Sequence, residues 1–196
     1  MRTSAAGDQP LAQAAAAVLV EGASDQAALA TLAARRGRDL AGEGVVVVPM
    51  GGATNIGHFL EVFGPHGFGV RLAGLCDEGE EPAFRRGLER AGLAPGPGRS
   101  GLERLGFFVC VTDLEDELIR ALGVAATERL IGEQGELGSL RTFAKQPAQR
   151  ARPRDQQLRR FLGTRSGRKI RYGQVLAGAL DLTRVPRPLA GVLAHV

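Results

Sequence analysis

The feature that most constrains the fold of this chain is a recurrence of four short, continuous apolar runs. They are Ala17 to Val20, Val45 to Pro49, Val70 to Cys76 and Phe107 to Val111, separated by segments with apolar residues at helical spacing. Runs this short, rich in Val and bounded by Gly or charge, read as strands buried on both faces, because a strand with one wet face would alternate polar and apolar residues. Between them, Ser24 to Arg36, Ala53 to Phe63 and Glu81 to Ala91 read as helices. Parallel neighbours need a crossover connection and a helix is the usual one, so the alternation predicts an α/β fold: a mostly parallel sheet flanked by helices. Beyond the fourth run, Asp113 to Leu122 reads as a helix. The rest is mainly helical, with segments near Thr127 to Ile131, Asp155 to Leu162, Gln174 to Leu180 and Pro188 to Ala194. Two stretches read as irregular: Ala94 to Gly101 (APGPGRSG), a turn-rich loop, and Gln146 to Asp155, a mobile linker.

In a parallel α/β sheet, ligands gather outside the carboxyl ends of the strands, where loops converge and helix N-termini present their amides. Three of the four expected strands end in acid. The first runs into Glu21 and Gly22, with Asp25 a turn later; the third into Asp77, Glu78, Gly79, Glu80 and Glu81; the fourth into Asp113, Glu115, Asp116 and Glu117. A single acid in the first turn of a helix is explained by capping and the helix dipole, and that account suffices for Glu81, Asp116 and Glu117. Ser24 is likewise expected as a helix N-cap. Several carboxylates at one mouth repel each other unless a cation lies among them, and hard oxygen donors select magnesium or manganese. The second strand leads into Gly51 and Gly52, which suit either a close approach to phosphate or a plain tight turn.

The net charge of +4 is unevenly spread. Between 141 and 171 every charged side chain except Asp155 is basic, whereas the acids lie almost entirely at or before Glu136. That distribution suits a metal-binding face beside a polyanion-binding one, and equally suits solvated Arg-rich helices. Cys76 and Cys110 lie in apolar runs without CxxC spacing, which argues against a disulfide framework or a zinc site and fits a reducing cytoplasm. No targeting or membrane segment is expected. His58, His66 and His195 have no mutual spacing suited to a metal. The absence of a GxxxxGK[ST] segment leaves no ATP site of the P-loop kind in the chain.

The strand Val18-Leu19-Val20 ending in Glu21-Gly22, the Glu-x-x-x-Asp spacing to Asp25, the Val46 to Gly52 strand with its Gly pair, the acid Asp77, Asp113-Leu114-Glu115 and the late Lys169 together resemble a known pattern. It is the Toprim domain of the overcoming-lysogenization-defect (OLD) family of endonucleases, and the likeness runs from about Ala16 to the C-terminus. The resemblance implies a Toprim-type, Rossmann-like sheet with a helical C-terminal extension. It divides the chain into an N-terminal tail (1–15), a catalytic Toprim domain (16–135) and a basic, mainly helical extension (136–196) carrying Lys169 before the last helices.

It further implies divalent-metal-dependent hydrolysis of DNA phosphodiesters, with two magnesium or manganese ions held by Glu21, Asp25, Asp77, Asp113 and Glu115. In that reading a metal-activated water attacks in line, with Glu21 and Lys169 as catalytic residues. Gly51, Gly52, Arg165, Arg168 and Arg171 are the expected contacts to phosphate or nucleic acid. One departure stands out: Toprim proteins usually carry Asp-x-Asp at the third strand, and Gly79 occupies the second position, so Glu78 or Glu80 is expected to supply the missing oxygen. OLD nucleases carry an ATPase domain in front, which predicts either independent action or a separate ATPase partner. Two other readings compete. In one the chain is a non-catalytic nucleotide- or nucleic-acid-binding module, a reading Gly79 favours. In the other it is a response-regulator-like protein with Asp77 as phosphoacceptor, a reading the helical rear half disfavours. A topoisomerase-like route through Tyr172, the only tyrosine, is disfavoured too.

Overall fold

The computed structural model describes residues 14–196; most of the expected N-terminal tail lies outside them. Four strands form one parallel sheet in the order β2-β1-β3-β4. They are β1 (Ala16–Val20), β2 (Val45–Pro49), β3 (Arg71–Asp77) and β4 (Phe107–Cys110). Register is set by pairs such as Val18 with Val47 and Ala73, and Asp77 with Cys110. Helices α1 (Ala23–Arg35), α2 (Ile56–Phe63), α3 (Glu81–Arg90) and α4 (Gly98–Arg104) supply the crossovers. After β4 the chain is helical: α5 (Leu114–Leu122), α6 (Val124–Glu133), α7 (Leu137–Ala144), α8 (Pro147–Arg150), α9 (Arg154–Leu162), α10 (Ser166–Ala179) and α11 (Arg187–His195).

The two-residue period of β1 divides its side chains between two cores. Ala16, Val18 and Val20 face a core shared with α1, α5, α9, α10 and α11, while Ala17 and Leu19 face one shared with α2, α3 and α4. All five are buried, which is why this strand reads as an unbroken apolar run. Each fully buried Leu or Phe in these layers, such as Leu19, Leu32, Phe63 and Phe84, contributes about 1.5–3 kcal/mol of transfer free energy. β2 differs from expectation. It is an edge strand, and Val46, Val47 and Val48 are only half-buried. A Val-rich run cannot by itself distinguish an edge from a centre.

The rear half differs more. The expected loop Ala94 to Gly101 becomes helical from Gly98, because Arg85 donates to the carbonyls of Gly96 (3.2 Å) and Gly98 (2.6 Å) and pins the loop to α3. The expected mobile linker Gln146 to Asp155 instead holds α8 and the start of α9. Its Gln149 is buried, and Gln157 Nε2 donates to the carbonyls of Gln149 (3.0 Å) and Arg152 (3.1 Å). The helix expected at Gln174 to Leu180 begins at Ser166, eight residues earlier, so Lys169 lies in its first turn and not in a linker before it. α7 has no counterpart among the expected segments.

Candidate active site

The acids sit where the strand ends converge. Gly22, extended at φ −152°, is the N-cap of α1, and the Asp25 carboxylate turns back to accept the Gly22 amide at 2.9 Å. This corrects the expectation for Ser24, which lies inside the first turn and is buried. Glu21 reaches from β1 to β3, its Oε1 accepting the Asp77 amide at 2.8 Å. After β4 the chain reverses through Thr112, a β-branched residue at φ +68°. That is a costly conformation, of the kind retained where surrounding structure over-determines it. The reversal makes Asp113 the N-cap of α5. Its Oδ1 accepts the Asp116 amide at 2.8 Å and its Oδ2 accepts Arg159 Nε at 2.6 Å. Glu117 accepts the Val111 amide at 2.9 Å, in keeping with a purely local role. Glu115 is buried, with Oε2 at 3.4 Å from Lys169 Nζ and Oε1 without a partner.

Lys169 reaches this mouth because α10 packs closely along α1. A Cβ on Gly173 would lie 2.7 Å from the Ser24 carbonyl oxygen. The lysine lines two cavities, one of about 320 Å³ with Glu21, Asp25 and Gly52, and one of about 350 Å³ with Asp113, Glu115, Arg159 and Arg160.

The electrostatics show that the acids act on one another. Burial, followed by repulsion from Glu21, Asp25 and Asp113, pushes Asp77 up to about 8. Burial pushes Glu115 up to about 7, opposed by Lys169 and reinforced by Asp113 and Asp25. Glu21 and Asp25 are also raised, chiefly by burial and against their backbone hydrogen bonds. Burial alone would lower Lys169, but Glu115, Asp25 and Asp77 outweigh it and hold the ammonium charged. Carboxyls raised in this way at a cleft are a mark of functional sites.

Glu21, Asp25, Asp77, Asp113, Glu115 and Lys169 therefore form one electrostatic unit. The other expected site residues differ in their relation to it, and of these Gly52 lines the cavity with Glu21, Asp25 and Lys169. Glu78 is exposed and paired with Arg99, whereas the Glu80 charge acts on Glu21. Gly51 and Gly52 make a tight turn at φ +72° and +126°, and the Gly52 amide is used by the Glu21 carbonyl at 3.0 Å. Arg168 is nearly buried, paired with Glu136 at 3.0 Å and stacked 4.2 Å over the Phe161 ring; Arg171 pairs with the same Glu136 at 2.6 Å. Arg165 and Arg168 line a different cavity from the acids. Sequence reasoning missed Arg159 and Arg160 at the site. Both belong to the basic run, which carried no signal for which of its members face the acids.

A divalent cation fits the donor chemistry: all side-chain donors are oxygens, burial and mutual repulsion raise several of the carboxyls, and buried Glu115 Oε1 is orphaned. Among the described residues, however, no three His, Cys, Asp or Glu side chains are gathered into a group able to hold a metal ion. No helix among them is long and apolar enough to cross a membrane.

A four-stranded parallel sheet whose neighbouring strands lead into Glu21 and Asp77, with further acids after the next strand, makes this an α/β domain with its acids at the carboxyl edge of the sheet. Residues 14–78 match the family model described as "Overcoming lysogenization defect protein-like, TOPRIM domain". The fold is similar to that of the C-terminal region of the Xanthomonas campestris pv. campestris OLD protein, with 22% identity, a TM-score of 0.71, and coverage of 95% of this chain and 94% of that one. It is also similar to the C-terminal region of the Burkholderia pseudomallei OLD protein, with 22% identity, a TM-score of 0.66, and coverage of 93% and 96%. No curated protein matches. The likeness to an OLD-like Toprim model is thus confined to residues 14–78, while the fold over most of the chain is shared with the C-terminal regions of OLD proteins.

Proposed function

We propose that this chain hydrolyses DNA phosphodiesters with the help of divalent cations, residues 16–135 supplying the acids and 136–196 delivering Lys169. The observation that carries the reading is the position of Lys169, 3.4 Å from Glu115 and within the field of Asp25 and Asp77 at the strand ends. A lone ammonium amid carboxylates can hold a phosphoryl oxygen that the acids alone would repel. Glu21, Asp25, Asp77, Asp113 and Glu115 are the residues that would hold magnesium or manganese, two ions in the OLD-like reading, with Glu80 better placed than Glu78 to compensate for Gly79. Such an ion supplies a more acidic water and charge relief at the leaving oxygen. The protein's own part is distinct. Glu115 is buried and stands 3.4 Å from Lys169, so it helps to place the ammonium among the acids. Glu21 is held in one orientation by the Asp77 amide, and Lys169 offsets charge as it builds at the phosphate.

DNA is accordingly the proposed partner, with a separate ATPase as a second one suggested by the OLD likeness. The free, buried Cys76 and Cys110 are in keeping with the cytoplasm. Two observations favour a non-catalytic phosphate- or nucleic-acid-binding role instead: Gly79 leaves the third strand one acid short of the usual Toprim pattern, and no three donors are gathered among the described residues. A supercoiled-plasmid nicking assay with Mg²⁺ or Mn²⁺ separates the two. Metal-dependent nicking by the wild type, lost in Glu21→Ala and in Lys169→Ala, is the expected result. A folded wild type that binds DNA and cuts nothing would overturn independent cleavage, in favour of the binding role or of a subunit that needs its ATPase partner.

A further inference from the structure

The basic run from 141 to 171 divides in the structure. Arg168 and Arg171 are occupied by Glu136, and Arg154 by Glu128. Arg159 and Arg160, in the last turn of α9, line the cavity of about 350 Å³ with Asp113, Glu115, Gly163 and Lys169. Arg159 Nε is fixed by Asp113 at 2.6 Å, and no hydrogen bond of its two terminal nitrogens is found among the described residues. Arg160 is exposed and makes no ion pair among them. Gly163 closes α9 at the rim of the cavity. The volume holds on the order of ten waters, at about 30 Å³ each. Complementing the helix dipole needs only positive charge near the last turn. It does not require one guanidinium oriented by an acid of the site and a second left unpaired beside it.

We propose that Arg159 and Arg160, together with Lys169, form a phosphate-binding subsite that holds a nucleic-acid backbone phosphate next to the one presented to the acids. The inference rests on the nuclease reading and narrows it: the strand enters along the end of α9, not across the Arg165–Arg171 face. Guanidinium groups recognise phosphate through paired N–H donors, and Asp113 pre-orients one of them. Contacts of this kind position the backbone without reading its sequence.

The test is fluorescence anisotropy of a short fluorescein-labelled DNA duplex in Ca²⁺, an oxygen-seeking cation like magnesium, across a series of KCl concentrations. Removing one arginine that neutralises a phosphate should lower the slope of log affinity against log salt by about 0.9. Arg160→Gln is the primary variant, because Arg159→Gln also frees Asp113. Arg90→Gln, at the far end of α3 and exposed, is the charge-matched control. The expected result is a slope reduced by about 0.9 in Arg160→Gln, by about twice that in the Arg159→Gln/Arg160→Gln double variant, and unchanged in Arg90→Gln. A wild-type slope in Arg160→Gln, an equal reduction in Arg90→Gln, or no wild-type binding would each overturn the subsite. Plasmid nicking reports on the reaction separately. Nicking that persists in the double variant with unchanged KM sinks the subsite and leaves the nuclease reading standing, while arginine-dependent DNA binding without nicking does the reverse.

Discussion

Replacing Gly173 by Ala is expected to weaken both the fold and the site, because this glycine sets the distance between α10 and α1. An added Cβ would stand 2.7 Å from the Ser24 carbonyl oxygen, where ordinary contact begins at 3.4 Å. The helices must therefore separate by roughly 0.7 Å, since buried Ser24 is held in the first turn of α1 beside Asp25 and cannot swing aside. Overpacking of this kind costs about 1–3 kcal/mol. The better helix propensity of Ala returns about 0.5–1 kcal/mol. The net loss, up to about 2.5 kcal/mol, corresponds for a chain of this size to a Tm lower by up to roughly 10 °C.

Lys169 lies one turn before Gly173 on the same face of α10, so the displacement carries directly to its ammonium. Misplacement approaching 1 Å can cost about 100-fold in rate; a loss of about 10- to 100-fold in nicking is expected. Gly178→Ala is the internal control. Its Cβ would meet only Thr31 Cγ2 at 3.8 Å, an ordinary contact, so the propensity gain alone remains and Tm should rise by about 1–4 °C. Circular-dichroism melts and plasmid nicking on both variants decide the matter. If Gly173→Ala melts like Gly178→Ala and cuts like wild type, the close crossing does not position Lys169.

Three further outcomes are expected. Asp77 and Glu115 titrate near 8 and 7 in the folded chain and near 4 when unfolded; the unfolded state therefore binds fewer protons at neutral pH, and stability present below about pH 4 is lost as pH rises to about 8. Melts in EDTA should show Tm falling from pH 5 to 8.5, with a flatter profile in Asp77→Asn; an unchanged slope in that variant would refute the coupling. Gly79→Asp should fold normally, since a Cβ there meets nothing within 4 Å, and should enlarge the Tm increase produced by Mg²⁺; an equal or smaller increase would show that position 79 does not face the cation. Arg168→Gln removes the Glu136 pair and the stacking on Phe161, and should cost roughly 1–3 kcal/mol in a denaturant melt, with the DNA salt slope unchanged if Arg168 is a structural residue.

The sheet was legible because its strands carry their own signature. β1 and β3 are buried on both faces, so hydrophobicity alone marks them, and the acids that follow are local to the strand ends. The same locality exposed Glu21, Asp77 and the Asp113–Glu115 pair, since a parallel sheet brings its carboxyl ends together whatever the helices do. What the sequence could not contain was the pairing of distant, exposed-looking residues. Whether an arginine of the 141–171 run meets Glu136, Asp113 or open solvent depends on how α9 and α10 pack. So Arg168 closed into the fold while Arg159 and Arg160 faced the acids. The loop at Gly98 and the segment at Gln149 became ordered for a like reason, because Arg85 and Gln157 satisfy their backbone carbonyls from other elements. Local pattern determined the strands and their terminal carboxylates. Only tertiary packing, through the glycine-permitted approach of α10 to α1, decided that a lysine late in the chain would stand among acids from its beginning and middle.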